Sequence, residues 1–464
     1  MKDDIPRKVK WINSKFFGIM KRHFRLNNIE INEFIRSINP TKIEDIIDES
    51  VLQAYEVVKQ RILDKRPRIK TELLLTRYFK GIDYEISKKI LRRYFNVHMR
   101  HTGNLVSICY NDSYAIWENT EEIPTMIEFL SENRGTIYEY KHQSESGETI
   151  FNYDVVALPF TKFWQHDEKL SGHQQLIWNS KTRVTEKYDG HIIKVYYYKR
   201  ENKWYVSTNS YVDCSEKVLR NSDMSASDAF RECAAASGFD FDKLNKNHVY
   251  MFELLHPKCR ICIPYEKPQL IHIGTRDMQT LNEIDEEIGI IQPRIYDIKS
   301  YDDAVKIANT FVDKEGFVIT DENGCRVKIK SIHYSNYHKL MELGEKNKEH
   351  SIKLFLTFAW RMNTITTTLQ MYPEFADKFI EMENGLKAMH KLTMETFSQL
   401  DQSGKKEFYA SLKKSPLSIQ LVLKYMYDHN LKIISYDKYI NLIREEKMVS
   451  KKNFIDNYLK LTIE

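Results

Sequence analysis

The chain has 464 residues, of which 42% are hydrophobic and 29% are charged, with only 15 glycines and 11 prolines. The length predicts two or three domains, and the composition excludes a disordered or fibrous protein. The sequence shows neither the apolar core of a signal peptide nor a run of about 18 apolar residues. We therefore expect a soluble, cytoplasmic protein that does not enter a membrane.

The net charge of +5 is unevenly distributed along the chain. Residues 1–100 contain 23 Lys and Arg against 13 Asp and Glu, so the remaining residues carry a net charge of −5. Such asymmetry is typical of proteins that contact phosphates, although a solvated basic face explains it equally well. Apolar residues recur at helical spacing in Ile43–Leu63 and Tyr84–Phe95. The basic region 1–120 is thus predicted to be mainly helical.

Between residues 125 and 345, short runs of β-branched and aromatic residues alternate with turn signals, a pattern that predicts an antiparallel sheet-rich domain. The predicted strands are Thr136–Tyr140, Ile192–Tyr198, Trp204–Ser207, Val249–Leu255, Arg260–Tyr265, Phe317–Thr320 and Arg326–Ile332. Hairpin turns are predicted at Lys199–Asn202 and Asp321–Gly324. Helical inserts are predicted at Ser225–Ala236 and Asp302–Val312.

Helical periodicity returns in residues 346–464, which we predict to form an all-helical C-terminal domain. Its clearest segments are Ile352–Ala359, Phe375–Leu392 and Leu417–Tyr427. Ser415 and Pro416 precede the third segment and predict an N-cap and a first-turn proline. The predicted class is therefore α+β. An antiparallel-sheet domain at 125–345 is flanked by the basic helical region 1–120 and by the helical domain.

The six cysteines are thinly scattered, which predicts free thiols in a reducing compartment. Cys259 and Cys262 form a C-x-x-C pair, the spacing of some zinc sites. No second pair follows, and a strand through this segment would place the two thiols on opposite faces, so we interpret them as structural. We interpret His166 and His173 as surface residues rather than metal ligands.

A K-x-D-G tetrad, Lys187-Tyr188-Asp189-Gly190, lies just before the predicted strand Ile192–Tyr198. If the tetrad ends a strand, Lys187 and Asp189 project to one side and Gly190 allows close backbone approach to a ligand. That arrangement suits a nucleophilic amine beside a carboxylate. Taken alone, the same four residues also fit a surface turn with a charged pair.

Further along the chain, Val327-Lys328-Ile329-Lys330-Ser331 places two lysines on one face of a strand, where they can clamp a phosphate. Two carboxylates lie at or near apolar strand runs between the tetrad and these lysines. They are Glu253 in Phe252-Glu253-Leu254 and Glu315 in Glu315–Ile319. Neither is informative separately, and the order of all four elements carries the signal.

That order, with the local sequence around each element, resembles the covalent nucleotidyltransferases, and most closely the ATP-dependent RNA ligases of the phage RNA ligase 1 type. Lys187–Gly190 resembles the nucleophile motif of that family. The other segments that resemble its motifs are Asn133–Tyr138, Leu158–Trp164, Met251–Leu254 with Pro257–Ile261, Ile271–Asp277, Glu315–Ile319 and Val327–Ser331. The resemblance covers residues 130 to 345, about half of the chain.

The resemblance implies an RNA ligase and nucleotidyltransferase in which Lys187 becomes attached to AMP from ATP, passes it to an RNA 5′-phosphate, and is released when a 3′-hydroxyl closes the bond. Asp189 would orient the surroundings of Lys187, Glu253 would hold the ribose, and Glu315 would lie on the side of a Mg²⁺ or Mn²⁺ ion. The further nucleotide-binding residues implied are Gly190, Arg134, Lys162, Lys328 and Lys330. The four cations suit a reaction that builds charge on phosphoryl oxygens.

Two positions depart from the family pattern. Ser207-Thr208-Asn209-Ser210 stands where the family usually has a lysine, so a charge on the phosphate path is missing or is supplied by Lys194 or Arg200. His191 stands where a small hydroxyl residue is common. Both departures affect expectations about rate or substrate choice.

The resemblance also implies the partner: RNA with 5′-phosphate and 3′-hydroxyl ends, with the tRNA anticodon loop as one candidate, in RNA repair or tRNA processing. The C-terminal helices would dock that RNA. A DNA ligase or a GTP-dependent capping guanylyltransferase remains an alternative, although both normally carry an OB-fold where this chain is helical. A non-catalytic nucleic-acid-binding relative is the third interpretation. The role of residues 1–100 and the oligomeric state stay open.

Overall fold

The computed structural model of the chain describes residues 49–64, 67, 69, 71–95, 97–110, 124–143, 149–168, 175–215, 217–219, 222–342 and 345–444. The chain forms two compact units. The first unit comprises residues 1–305 and 316–329, and the second comprises residues 306–315 and 330–464. The chain therefore passes between the units three times.

The described part of the first unit contains three sheets, with strand orders β1-β2-β3-β4, β11-β10-β9-β7-β8 and β12-β6-β13-β14-β5. The strands are β1 (Val97–Thr102), β2 (Leu105–Tyr110), β3 (Arg134–Gln143), β4 (Thr149–Ala157), β5 (Trp164–Gln165), β6 (Arg183–Lys187), β7 (His191–Tyr198), β8 (Lys203–Ser207), β9 (His248–Leu255), β10 (Gln269–Asp277), β11 (Glu283–Ile284), β12 (Ile295–Tyr296), β13 (Gly316–Thr320) and β14 (Arg326–Lys330, whose last residue is counted with the second unit). The pairings are antiparallel except that β5 runs parallel to β14.

The sheet β11-β10-β9-β7-β8 has its most apolar strand in the middle. β9 pairs with β10 on one side and with β7 on the other, and six of its eight residues are buried. A strand covered on both faces reads as a nearly continuous apolar run, which explains the sequence Val249–Leu255. This strand fixes the position of Glu253, its one acidic residue.

Helices of the first unit pack against these sheets. They are α1 (Glu49–Leu63), α2 (Leu74–Phe79), α3 (Tyr84–Ile90, continued by a π-helical turn Leu91–Phe95), α4 (Pro124–Glu132), α5 (Ala226–Ser237) and α6 (Tyr301–Ala308, which continues into the second unit). The Ser225 hydroxyl accepts the Asp228 N–H at 3.0 Å and begins α5. Gly238, at a φ of +67°, ends it. Phe230 and Cys233 of α5 join the core that includes Phe252.

The second unit is helical in its described part. Its helices are α7 (Ile332–Glu342), α8 (Glu345–Arg361), α9 (Ile365–Met371), α10 (Ala376–Gln399), α11 (Lys405–Leu412), α12 (Leu417–Asp428) and α13 (Tyr436–Arg444). Stacked aromatic pairs hold them, with ring centroids 4.0 Å apart for Tyr337 and Tyr372 and 3.8 Å apart for Phe408 and Tyr427. The helix α12 begins at Leu417 with Pro416 at its N-cap and without a side-chain cap, so the predicted capping role of Ser415 is wrong.

The α+β class, the antiparallel sheets and the helical C-terminal region are confirmed. Two further features differ from the predictions. The hairpin β1–β2 lies in a region predicted to be mainly helical, and Arg260–Tyr265 forms no strand. Part of the first predicted helix, residues 43–48, lies outside the described residues. The domain boundaries at 120, 125 and 345 stay predictions.

All six cysteines are free thiols, as predicted. In the part of the chain that the structure describes, no helix is both long enough and apolar enough to cross a membrane.

Candidate active site

The K-x-D-G tetrad occupies the end of β6 and the turn into β7. Lys187 is the last residue of β6, is partly exposed, and pairs with Gly316 of β13. Asp189 lies in the turn and is buried, whereas Gly190 directly precedes β7. The tetrad therefore does end a strand, and Lys187 lies at the start of a turn that connects two sheets.

Asp189 is held by backbone groups. Its Oδ2 accepts the N–H groups of Cys262 and Ile263, both at 2.7 Å, and its own N–H donates to the Tyr265 hydroxyl at 3.0 Å. Successive N–H groups point to opposite sides of a strand, so two of them converge on one oxygen only where the backbone bends. This bend is the physical reason that the strand predicted at Arg260–Tyr265 is absent. Through these hydrogen bonds the Asp189 carboxylate orients the turn.

Gly190 lies against β9 and its N–H donates to Glu253 Oε1 at 3.0 Å. A Cβ at this position would lie 2.4 Å from the Leu254 carbonyl oxygen and 2.7 Å from Leu255 Cδ2. Because the carbonyl belongs to a paired strand and cannot move aside, only glycine fits. The result is that the turn carrying Lys187 and the carboxylate of Glu253 are fixed to each other.

Three predicted cationic residues also belong to the first unit. Lys162 Nζ lies 4.8 Å from the Tyr110 ring centroid and 4.5 Å from that of Trp164. Lys328 is on the partly exposed face of β14, because Val327 and Ile329 are fully buried on the other. Arg134 begins β3 and is partly exposed.

Glu315 and Lys330 belong to the second unit, where they form an ion pair. Lys330 Nζ lies 3.2 Å from Glu315 Oε1, and the Glu315 side chain is only 3% exposed. The Lys330 ammonium also lies 4.9 Å from the centroid of the Tyr334 ring. The predicted site residues thus fall into two groups, one in each unit.

The segment that departs from the family pattern is well packed. Ser207 and Thr208 are buried. Of the two proposed substitutes for the missing lysine, Arg200 pairs with Glu139 at 2.6 Å and is 55% exposed, whereas Lys194 is fully buried and its Nζ donates to the Gly135 carbonyl. His191 Nε2 lies 3.1 Å from the Cys259 carbonyl oxygen, so this side chain is held within the site wall.

No group of three or more His, Cys, Asp or Glu side chains suited to a metal occurs among the described residues. Burial raises the pKa of the Cys259 thiol, which opposes the thiolate that zinc requires. His166 Nδ1 lies 3.2 Å from the Tyr301 hydroxyl, and His173 lies outside the described residues. A buried single carboxylate such as Glu315 still fits Mg²⁺ or Mn²⁺, because these ions take most of their ligands from phosphates and water.

Sequence reasoning missed three contributors to the site. Tyr265 accepts the Asp189 N–H, Tyr110 lies beside Lys162, and the backbone of Asn209 lies against Gly135. Tyr265 belongs to the segment Arg260–Tyr265, which was wrongly predicted to be a strand. A tyrosine directly after an apolar run gives no signal of its own, since most aromatic side chains are core residues.

Comparisons with known proteins bear on the resemblance. No protein-family model matches the chain. A curated RNA ligase from Rhodothermus phage RM378 is 22% identical over 365 residues, which are 69% of this chain and 70% of the relative.

Two solved structures, both with a TM-score of 0.36, were also matched. One, described as an archaeal ATP-dependent RNA ligase, is 12% identical and covers 60% of this chain and 71% of its own. The other, described as a putative ATP-dependent DNA ligase from Aquifex aeolicus, is 17% identical, and the match covers 71% of this chain and 87% of the ligase. Similarity this low carries no argument about function. The similarity to the phage protein over two thirds of the chain is what confirms the recognised resemblance to RNA ligases.

Proposed function

We propose that this chain is an ATP-dependent RNA ligase that joins RNA 5′-phosphate and 3′-hydroxyl ends through AMP attached to Lys187. The observation that carries the proposal is the construction of the nucleophile turn. Lys187 is partly exposed, whereas Asp189 is held by the Cys262 and Ile263 amides and Gly190 is held by Glu253. A plain surface turn needs no such support, whereas a nucleophile must be held within a fraction of an ångström.

In the proposed first step, the Lys187 amine attacks the α-phosphorus of ATP. A nitrogen–phosphorus bond forms, the bond from the α-phosphorus to the bridging oxygen breaks, pyrophosphate leaves, and the amine loses its proton to solvent. Glu253 would accept hydrogen bonds from the ribose hydroxyls, and Gly190 would let the nucleotide approach the backbone. Arg134, Lys162 and Lys328 would bind the phosphates.

The next two steps release the lysine. An RNA 5′-phosphate oxygen attacks the α-phosphorus and breaks the bond to Lys187, so that AMP moves to the RNA. The 3′-hydroxyl oxygen of the other end then attacks the 5′-phosphorus, and AMP leaves as the phosphodiester forms. The Lys187 nitrogen takes up a proton from solvent as it leaves phosphorus, and the 3′-hydroxyl releases its proton to solvent, so the lysine amine is regenerated for another cycle.

Glu315 and Lys330 are proposed to serve the same reaction. A bound Mg²⁺ or Mn²⁺ would neutralise charge on the phosphate oxygens. Glu315 is the carboxylate that would hold the ion, with its orientation fixed by Lys330. Lys330 would add positive charge to the phosphate clamp.

The charge on α11, on α12 and on the segment between them supports RNA as the partner. Lys405, Lys406, Lys413, Lys414 and Lys424 are exposed, and among the described residues none of them forms an ion pair. The lysines of α10 differ, since Lys378, Lys387 and Lys391 each pair with a glutamate of the same helix. Unpaired lysines beside the partly exposed Tyr409 suit a phosphate backbone with accessible bases.

The test is incubation of the full chain with α-labelled ATP and Mg²⁺. We expect labelled protein, with the AMP mass on Lys187, and loss of label by more than about 1,000-fold in Lys187→Ala. Lys199→Ala is the matched control, because Lys199 is an exposed lysine just beyond the end of β7. Wild-type protein without an adduct at position 187 would contradict the proposal.

The substrate is tested with the labelled protein. Nicked anticodon stem-loops with 5′-phosphate and 3′-hydroxyl ends should be sealed, and nicked DNA of the same sequence should not. Label from GTP alone would indicate a capping guanylyltransferase, and sealing of DNA alone would indicate a DNA ligase. Binding of RNA without label would support the non-catalytic alternative.

A further inference from the structure

Lys194 is a lysine inside the protein core. It lies in the middle of β7, is 0% exposed, and is flanked by Ile193 and Val195, which are equally buried. An ammonium taken out of water loses its solvation free energy, a cost that an apolar side chain of similar length does not incur. Stability alone therefore does not account for a lysine at this position.

The amine of Lys194 joins two sheets. Its Nζ donates to the carbonyl oxygen of Gly135 in β3, while Lys194 itself belongs to β7 of another sheet. Gly135 has a φ of +85°, and a Cβ there would lie 2.6 Å from the Asn209 Cα. The backbone after Arg134 is thus held between Lys194 on one side and Asn209 on the other.

Lys194 interacts electrostatically with Arg134, the residue next to its hydrogen-bond partner. Burial lowers the pKa of Lys194 to about 7; the interaction with Cys109 in β2 opposes this shift, and the charge of Arg134 in β3 adds to it. The guanidinium of Arg134 disfavours the charged form of Lys194, so the two side chains interact electrostatically.

Two polar atoms in the same neighbourhood lack partners. Ser207, the register partner of Lys194, is fully buried, and its Oγ has no hydrogen-bond partner in the described structure. The same holds for Asn209 Oδ1. Buried polar atoms are normally hydrogen-bonded. Ser207 Oγ and Asn209 Oδ1 therefore indicate that a further polar group can bind near the Lys194 amine.

We propose that Lys194 is a positioning residue that fixes the Arg134–Gly135 segment so that the Arg134 guanidinium faces the nucleotide phosphates. The inference rests on the proposed function, in which Arg134 binds those phosphates. Lys194 is too deeply buried to contact the substrate itself. It acts through the Gly135 carbonyl. In this way it supports phosphate binding by Arg134, and this support compensates for the family lysine that is replaced by Thr208.

The experiment is a double-mutant cycle of Lys194→Met and Arg134→Ala, measured as kcat and KM for ATP in Lys187 adenylylation. We expect Lys194→Met to raise the KM for ATP about tenfold, as a displaced phosphate contact does. In the Arg134→Ala background the same substitution should change the KM less than about twofold, because the group that it positions is gone. Lys194→Gln, which keeps a donor for the Gly135 carbonyl, should restore part of the affinity.

Val195→Ala is the control for a merely structural effect, since Val195 is as buried as Lys194 and is its neighbour in β7. Its effect on KM should be the same with and without Arg134. Equal effects of Lys194→Met in both backgrounds, or an unchanged KM, would overturn the inference while leaving the proposed function standing. A wild-type protein that forms no adduct overturns both.

Discussion

Lys187 and Lys194 lie seven residues apart, and the structure gives them opposite surroundings. Lys187 ends β6, is partly exposed, and precedes a turn fixed by hydrogen bonds to Asp189 and Glu253. Lys194 lies inside β7, fully buried, with its Nζ on a backbone carbonyl. The same side chain can serve as a nucleophile only in the first place, because the second admits no substrate. The residues around Lys187 hold its turn in place. Lys194, in contrast, itself holds the backbone at Gly135 in place.

The largest effect is expected for Gly190→Ala, in the turn that follows Lys187. The new Cβ would lie 2.4 Å from the Leu254 carbonyl oxygen, which is fixed by the pairing of β9. We expect a loss of about 3 kcal/mol of stability and of about 100-fold in adenylylation, measured by urea denaturation and single-turnover labelling. Gly103→Ala is the control: it has open space around it and should lower stability by only about 1–2 kcal/mol, the strain of its positive φ. Normal activity of Gly190→Ala would mean that the turn is not the nucleophile site.

Asp189→Asn should have the next largest effect. The amide keeps the shape but loses the charge that strengthens both backbone hydrogen bonds from Cys262 and Ile263. We expect about 2 kcal/mol less stability and a decrease of about 30-fold in the adenylylation rate, with KM for ATP little changed. Single-turnover labelling at saturating ATP measures the rate. Asp285→Asn, at an exposed ion pair, should leave it unaltered.

The last prediction concerns the buried lysine and the pH dependence of stability. The pKa of Lys194 falls from 10.5 to about 7 through burial. Between these values the unfolded chain binds more protons than the folded chain, so the unfolding free energy of the wild type rises with pH across this window. Lys194→Met lacks this contribution, and its stability relative to the wild type should decline by a few kcal/mol from pH 7 to 10.

Denaturant titrations of both proteins at several pH values measure this slope. Lys199→Met serves as the reference, because Lys199 is exposed and its replacement should leave the slope unchanged. Parallel curves for the wild type and Lys194→Met would show that the buried amine titrates as it does in water. The contrast between the two lysines would then be lost.

The sequence predicted those features that depend on local pattern. Alternation placed Lys328 on the open face of β14, and β-branched runs located most strands of the central sheets. The bend at Cys262 was missed, because it forms for a partner 73 residues away, the Asp189 carboxylate. The amine of Lys194 and its Gly135 partner are 59 residues apart, and no spacing rule reports such a contact. Local propensity yields to tertiary contacts at these sites.

The three chain crossings between the units have a practical consequence for dissecting the protein. A fragment ending at residue 345 would retain Glu315 and Lys330, yet it would remove α8 to α13, the greater part of the unit to which both residues belong. Failure of such a fragment would thus reflect exposure of apolar helix surface as much as loss of an RNA contact. Point substitutions on intact protein separate these two causes, and excision of a presumed module does not.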